Sequence, residues 1–150
     1  MAEIQWGMTT EDLAISIYVA KLQYKVCESI VLNLALKNAG DTPTPIVVRS
    51  AWSDYTLKVY REGFAEIPKT PYAVRKIEAA SAGSRATTEL MPGEVQTTSL
   101  DLDKGFDMSV PGLYKMIATR ETYKKGKLDE YATVRSNELI IEIIQADDDK

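Results

Sequence analysis

The sequence predicts an all-β fold, an antiparallel β-sandwich of about seven to nine strands. Three observations carry this. Apolar residues alternate with polar ones in several short runs, turn signals recur between those runs, and no long stretch has helical periodicity. With 150 residues, 45% of them hydrophobic, the chain is long enough for one sandwich core without disulfides or metal. The boundaries expected are an extension over residues 1–12, the sandwich over 13–145 and a disordered acidic tail over 146–150.

The first strand is expected where Leu13, Ile15, Ile17 and Val19 share one parity. A second follows at Ile30, Leu32, Leu34 and Leu36, and is stopped by Asn38-Ala39-Gly40-Asp41 with Pro43 and Pro45. Ile46-Val47-Val48 begins a third. Tyr55, Leu57 and Val59 form a fourth, turning at Arg61-Glu62-Gly63 with Phe64 and Ile67 on the return. From Pro68 to Ser84 the pattern loosens into a long connection, with one short strand expected near Tyr72–Ile77. Met91-Pro92-Gly93-Glu94 then turns the chain into a strand over Val95–Leu102. Tyr114, Met116 and Ala118 alternate after Pro111-Gly112, and a hairpin tip at Lys124-Lys125-Gly126-Lys127 leads to a return through Tyr131, Val134, Leu139, Ile141 and Ile143. Ser136-Asn137 falls where that return changes parity, which predicts a bulge.

Gly112-Leu113-Tyr114-Lys115-Met116 places a tyrosine two residues before a core position and just after a tight turn. This spacing is that of a tyrosine corner, which narrows the expectation to an immunoglobulin/fibronectin-III-like sandwich with Met116 where an antibody domain carries its second cysteine. Several segments strengthen it: Trp6-Gly7, Tyr24 to Ile30, Leu36 to Asp41, Pro68-Lys69-Thr70-Pro71-Tyr72, Leu90 to Glu94, Phe106 to Tyr114, and Val134-Arg135-Ser136-Asn137. Together they resemble a bacterial immunoglobulin-like module of unassigned function found in exported proteins. More distantly, the chain is similar to the BsuPI family of intracellular proteinase inhibitors and to amino-terminal domains of some secreted metalloendopeptidases. Such modules usually have Gly-Glu-Pro leading into the second strand, where this chain has Cys27-Glu28-Ser29. A turn needing positive φ would strain Cys27 by about 1 kcal/mol.

The chain has no histidine and Cys27 as its sole cysteine. That excludes Ser-His-Asp and Cys-His nucleophiles, histidine-based metal sites and an intrachain disulfide. Cys27 is expected to be a buried or half-buried structural thiol. No catalytic residue, cofactor site or metal site is expected, and the chain is not expected to be an enzyme. Asp101 to Asp107 faintly resembles a calcium loop, but Gly105 falls one position early and Gly112 stands where a bidentate Glu would close it. The alternative sets Asp101 and Asp103 on a solvent face, with Asp107 capping a turn. Net charge is -4, which provides no general attraction to nucleic acid or anionic lipid. Arg120, Lys124, Lys125 and Lys127 cluster near the hairpin tip beside Tyr123, where lysines also protect an edge from unwanted pairing.

Trp52, Tyr55 and Tyr72 are the expected partner-binding residues, as an aromatic platform for a peptide or sugar; the alternative is that Trp52 or Trp6 packs across an end of the sandwich. The function expected is a non-catalytic protein-interaction or spacer module within a larger bacterial protein. Alternatives are a BsuPI-type proteinase inhibitor, which would present Pro68–Gly83 as an extended loop, and a carbohydrate-binding module. A monomer with an unidentified protein partner is expected, with no nucleic acid and no membrane insertion. The amino terminus lacks the charged and apolar regions of a signal peptide. Exported and cytoplasmic locations both remain open, according to whether the chain is a fragment or complete.

Overall fold

Leu13, Ile15 and Ile17 point into the core from one parity of β1 (Leu13–Tyr18), as their alternation requires. The computed structural model describes residues 4–63, 65–82, 86–124 and 127–146. After β1 come β2 (Gln23–Lys25), β3 (Val31–Asn38), β4 (Thr44–Val48), α1 (Ala51–Asp54), β5 (Thr56–Arg61) and β6 (Ala65–Ile67). Then follow α2 (Pro71–Ala82), β7 (Ala86–Leu90), β8 (Val95–Asp101), α3 (Leu102–Gly105), β9 (Gly112–Lys124), β10 (Lys127–Arg135) and β11 (Leu139–Ile144).

One sheet has the order β1-β3-β8, antiparallel throughout. The other runs β2-β11-β9-β5-β6, with β10 also pairing β9, and β2 joins β11 in parallel. Leu32, Leu34, Leu36 and Leu100 from the first sheet meet Leu57, Val59, Met116, Ile141 and Ile143 from the second. Each such buried side chain contributes about 1.5–3 kcal/mol from apolar surface removed from water. The chain is an all-β immunoglobulin-like sandwich. Among the described residues the strands number eleven rather than seven to nine, because β2 and β6 have three residues each, too few to show an alternation.

The largest correction concerns the long connection. Residues 71–82 form a 12-residue helix, not a loop with a strand near Tyr72–Ile77. Pro71 opens it with its ring already at a helical φ, and Thr70 caps it: Oγ1 of Thr70 accepts the Ala73 N–H at 3.4 Å. Arg75, Lys76, Glu78, Ala79 and Ala80 are good helix formers. No extended loop is therefore presented over this segment for a protease cleft. Phe64, Gly83-Ser84, Lys125-Gly126 and the tail over 147–150 lie outside the described residues.

The expected punctuation is present. Gly93 adopts φ 80 after Pro92, and the Met91 carbonyl accepts the Glu94 N–H at 2.9 Å, a turn that requires a residue tolerant of positive φ. Tyr114 is fully buried and its hydroxyl donates to the Val110 carbonyl at 2.5 Å, closing the tyrosine corner, while Met116 is fully buried behind it. Tyr114→Phe is expected to cost about 1–2 kcal/mol, since it removes one buried hydrogen bond and leaves the Val110 carbonyl short of a donor; a urea titration of the two proteins measures it.

The bulge also falls where expected. Arg135 lies opposite Thr119 and Leu139 opposite Met116, so one strand advances by one more residue than the other. Ser136 fills the gap: its N–H donates to the Ala118 carbonyl at 2.8 Å and its Oγ accepts the Ala118 N–H at 2.9 Å. Asn137 then reaches β1, accepting the Ile17 N–H at 2.8 Å and donating to the Ile17 carbonyl at 3.1 Å. Its amide behaves as a one-residue strand and ties the two sheets together. The amino-terminal extension lies along the same side, where the Gly7 N–H donates to the Ile15 carbonyl at 2.9 Å.

Candidate functional site

The connections on either side of β5 and β6 do more than join the sheets. β7 pairs with β4 in a separate antiparallel ribbon. In a constant-type immunoglobulin sandwich the strand at that place in the chain covers the edge occupied here by β8. With β7 diverted, β8 pairs with β3 on one side and, among the described residues, with no strand on the other.

Helices α1 and α2 lie beside that edge. Ser50 caps α1, its Oγ accepting the Ser53 N–H at 3.4 Å, and Asp54 accepts the Arg49 N–H through both carboxylate oxygens at 3.1 and 3.0 Å. This tight turn drives Trp52 inward. Its ring lies edge-on to Tyr72 at 6.4 Å between centroids and tilted against Phe106 at 6.1 Å. From α2, the residues Tyr72, Lys76, Ala79 and Ala80 recur at helical spacing on one face. They line a groove of about 450 Å3 with Arg49 to Trp52 and with Ser99, Leu100 and Asp101 of β8.

The three expected partner-binding residues are thus divided. Trp52 and Tyr72 meet in the groove, but Trp52 is 6% exposed and forms its floor rather than a platform. Tyr55 is 3% exposed and does not line the groove. The Arg120 guanidinium sits 5.2 Å from the centre of its ring. Burial pushes the Tyr55 phenol above its ordinary value, with the nearby guanidinium pulling the other way.

Arg120 corrects a second expectation. It is buried and donates to the Val47 carbonyl at 2.5 Å instead of joining a basic hairpin tip. Lys124 and Lys127 both lie near Glu130, at 3.6 and 3.5 Å, so their charge is partly neutralised. Tyr123 and Tyr131 stack beside them at 4.6 Å on the exposed hairpin.

The groove's charge is set by Arg49 and Lys76, because its one carboxylate, Asp101, is 3.7 Å from Lys104. Lys76 and Lys104 both approach the Tyr72 ring, at 5.5 and 5.9 Å. The other aspartates of the acidic segment have structural partners. Asp103 accepts the Ile30 N–H at 2.9 Å. Asp107 accepts the Ser109 hydroxyl at 2.6 Å and N–H at 3.0 Å, which holds its carboxyl below the ordinary range. Among the described residues no group of three or more His, Cys, Asp or Glu side chains is placed to hold a metal.

Cys27 is exposed rather than buried, at the rim of a second groove of about 350 Å3 that includes Phe106 and Met108. Its φ is 71, the left-handed conformation that a glycine would adopt without strain. Cys27→Gly is expected to stabilise the protein by about 0.5–1 kcal/mol and to raise Tm by about 1–4 °C, readable by calorimetry. An unchanged or lower Tm would show that the turn imposes no such strain.

Sequence reasoning named Trp52 and Tyr72 but missed Lys76, the α2 stripe and the β8 edge. The signal for α2 was Thr70-Pro71, a cap residue followed by a proline at the first helical position. The signal for Arg120 was parity, since it continues the inward series Tyr114, Met116, Ala118.

No protein-family model matches the chain, and no curated protein matches it significantly in sequence. Among solved structures, the C-terminal domain of wzt matches over 94% of this chain and 77% of its own, at 10% identity and a TM-score of 0.55. The CARDB domain of the PF1109 protein from Pyrococcus furiosus, solved in complex with di-metal ions, matches 89% of this chain and 88% of its own at 14% identity and a TM-score of 0.44. A β-glucosidase from Listeria innocua in complex with isofagomine matches 89% of this chain with 16% of its own, at 10% identity and 0.45. At these identities the likeness to the C-terminal domain of wzt is one of fold alone.

Proposed function

We propose that the chain is a non-catalytic protein-interaction module that binds its partner in the groove between β8 and α2. The observation that carries this reading is the edge of β8 that pairs with no strand among the described residues, beside an aromatic floor. Unpaired strand edges bind other chains strongly, and natural sheets ordinarily cover or charge them. The groove holds hydroxyls at Ser50 and Ser99, yet among the described residues no hydrogen bond joins either to a basic side chain. Acyl-transfer chemistry needs such a pair.

The test is to present the chain with a random linear peptide library and, in parallel, with a glycan array. Peptide binding that is lost when Tyr72→Ala alters the groove supports the reading. Glycan binding without peptide binding would replace it with the carbohydrate reading, for which the exposed Tyr123–Tyr131 pair is the favourable observation.

A further inference from the structure

We propose that the partner is an extended acidic peptide segment that adds to the three-stranded sheet as a fourth strand, pairing with β8 and walled in by α2. This rests on the groove being the interaction site. The register decides which backbone groups are available. The Leu102 N–H bonds the Ile30 carbonyl and the Asn38 N–H bonds the Glu94 carbonyl. With Leu100 opposite Leu32 and Thr98 opposite Leu34, the alternation of an antiparallel ladder turns Gln96, Thr98 and Leu100 toward β3. Val95, Thr97, Ser99 and Asp101 therefore aim their N–H and C=O groups away from it, toward the open side.

The sequence of this edge is suited to pairing. Val95-Gln96-Thr97-Thr98-Ser99-Leu100 contains no charge and no proline, and β-branched residues favour the extended state. β10, at another margin, instead carries Lys127, Asp129, Glu130 and Arg135, the kind of edge that resists foreign strands. Beside the β8 edge, the groove of about 450 Å3 is lined on the helix side by the small residues Ala79 and Ala80, and Trp52 with Tyr72 offers an apolar surface for one side chain. Strand addition between a sheet edge and a helix is an established mode of peptide recognition, in which main-chain bonds supply affinity and side-chain pockets supply choice.

Charge selects among peptides. The chain's net charge is -4, yet the groove presents Arg49 and Lys76, neither of whose side chains forms an ion pair among the described residues, Asp54 being bound to the Arg49 backbone N–H. The groove's own Asp101 is engaged by Lys104. A glutamate or aspartate on the incoming strand would complete the ion pairs that the fold leaves open.

The experiment selects peptides from a random linear library on the full chain and measures the enriched peptides by fluorescence anisotropy. Enrichment in Asp and Glu is expected. Ser99→Pro removes an outward N–H without touching the β3 ladder, a change an edge position tolerates, and should weaken binding by at least about tenfold at unchanged Tm. The pair Arg49→Glu with Lys76→Glu should weaken it by a similar factor. Should Ser99→Pro fail to fold, N-methylating alternate residues of the peptide removes the same bonds on the native chain. Peptides that bind equally well after that loss overturn strand addition while leaving an interaction module standing. Enriched peptides that are neutral or basic overturn the acidic partner. A library that yields no binder overturns both this proposal and the peptide-binding function it rests on.

Discussion

Gly105→Ala is expected to destabilise the fold by about 3 kcal/mol, a large effect for one methyl group. A Cβ at this position would lie 2.0 Å from Cη2 of Trp52, 2.5 Å from Cζ2 and 2.9 Å from Cζ3. The indole cannot retreat easily, because Tyr72 and Phe106 close on its other sides. Either the ring leaves its rotamer or α3 moves, and α3 is tied to Thr70 by the Gly105 carbonyl, which accepts the Thr70 N–H at 2.9 Å. The cost should appear as a fall in Tm of about 6–12 °C. Trp52→Ala alone should cost about 3–5 kcal/mol by opening a cavity in the same place. The informative protein is the double variant. With the indole gone, Gly105→Ala meets no clash and should cost almost nothing further, so the two effects are far from additive. An undiminished Gly105→Ala penalty in the Trp52→Ala background would refute the steric account.

That Gly105 seats Trp52 was not legible in the sequence, and the reason is general to this chain. Alternation shows which residues face a core when one strand face is wet and the other dry. Leu32-Leu34-Leu36 and Leu57-Val59 could therefore be assigned directly; Leu13-Ile15-Ile17 followed from large apolar residues alternating with the small Ala14 and Ser16, which are buried too, and Tyr114 from its spacing after Pro111-Gly112. In α2 this signal is weak, since among its residues of described burial Ala73 alone is fully buried and Ile77 is half-buried, and the stripe they make with Ala80 rests on two small alanines and one isoleucine. β7 fails for the same reason, because Leu90 alone is buried of its five residues. Both elements owe their positions to partners distant in sequence, β4 for one and Trp52 for the other. The groove is built from α2, the Arg49–Trp52 segment and β8, so aromatic residues could be named as candidates while their geometry could not. The exposure of Cys27 was hidden in its residue type, which suggests burial, although the positive φ that it adopts was raised by its place in the turn leading into the second predicted strand.

Asn137→Ala is expected to cost about 2–4 kcal/mol, because it leaves both the N–H and the carbonyl of Ile17 without their partner at a partly buried site. The size of the effect alone does not separate lost hydrogen bonds from lost shape, and Asn137→Asp does. It keeps the side-chain outline and one acceptor for the Ile17 N–H, but its second oxygen replaces the amide donor and faces the Ile17 carbonyl. Ionised, that oxygen repels the carbonyl; protonated, it can donate to it. The fold therefore favours the neutral acid and raises its pKa above the ordinary value of about 4. A group raised in this way supports folding fully below its unfolded pKa, and that support is lost as pH rises through the folded value. The Tm gap between Asn137→Asp and the native chain should accordingly be small near pH 4 and widen toward pH 7, against a native chain that carries an uncharged amide there. A gap independent of pH would mean that the side chain does not act as both donor and acceptor to β1. The sheets would then be held on this side by the Ser136 bulge and the Gly7 segment, and Asn137→Ala should cost little.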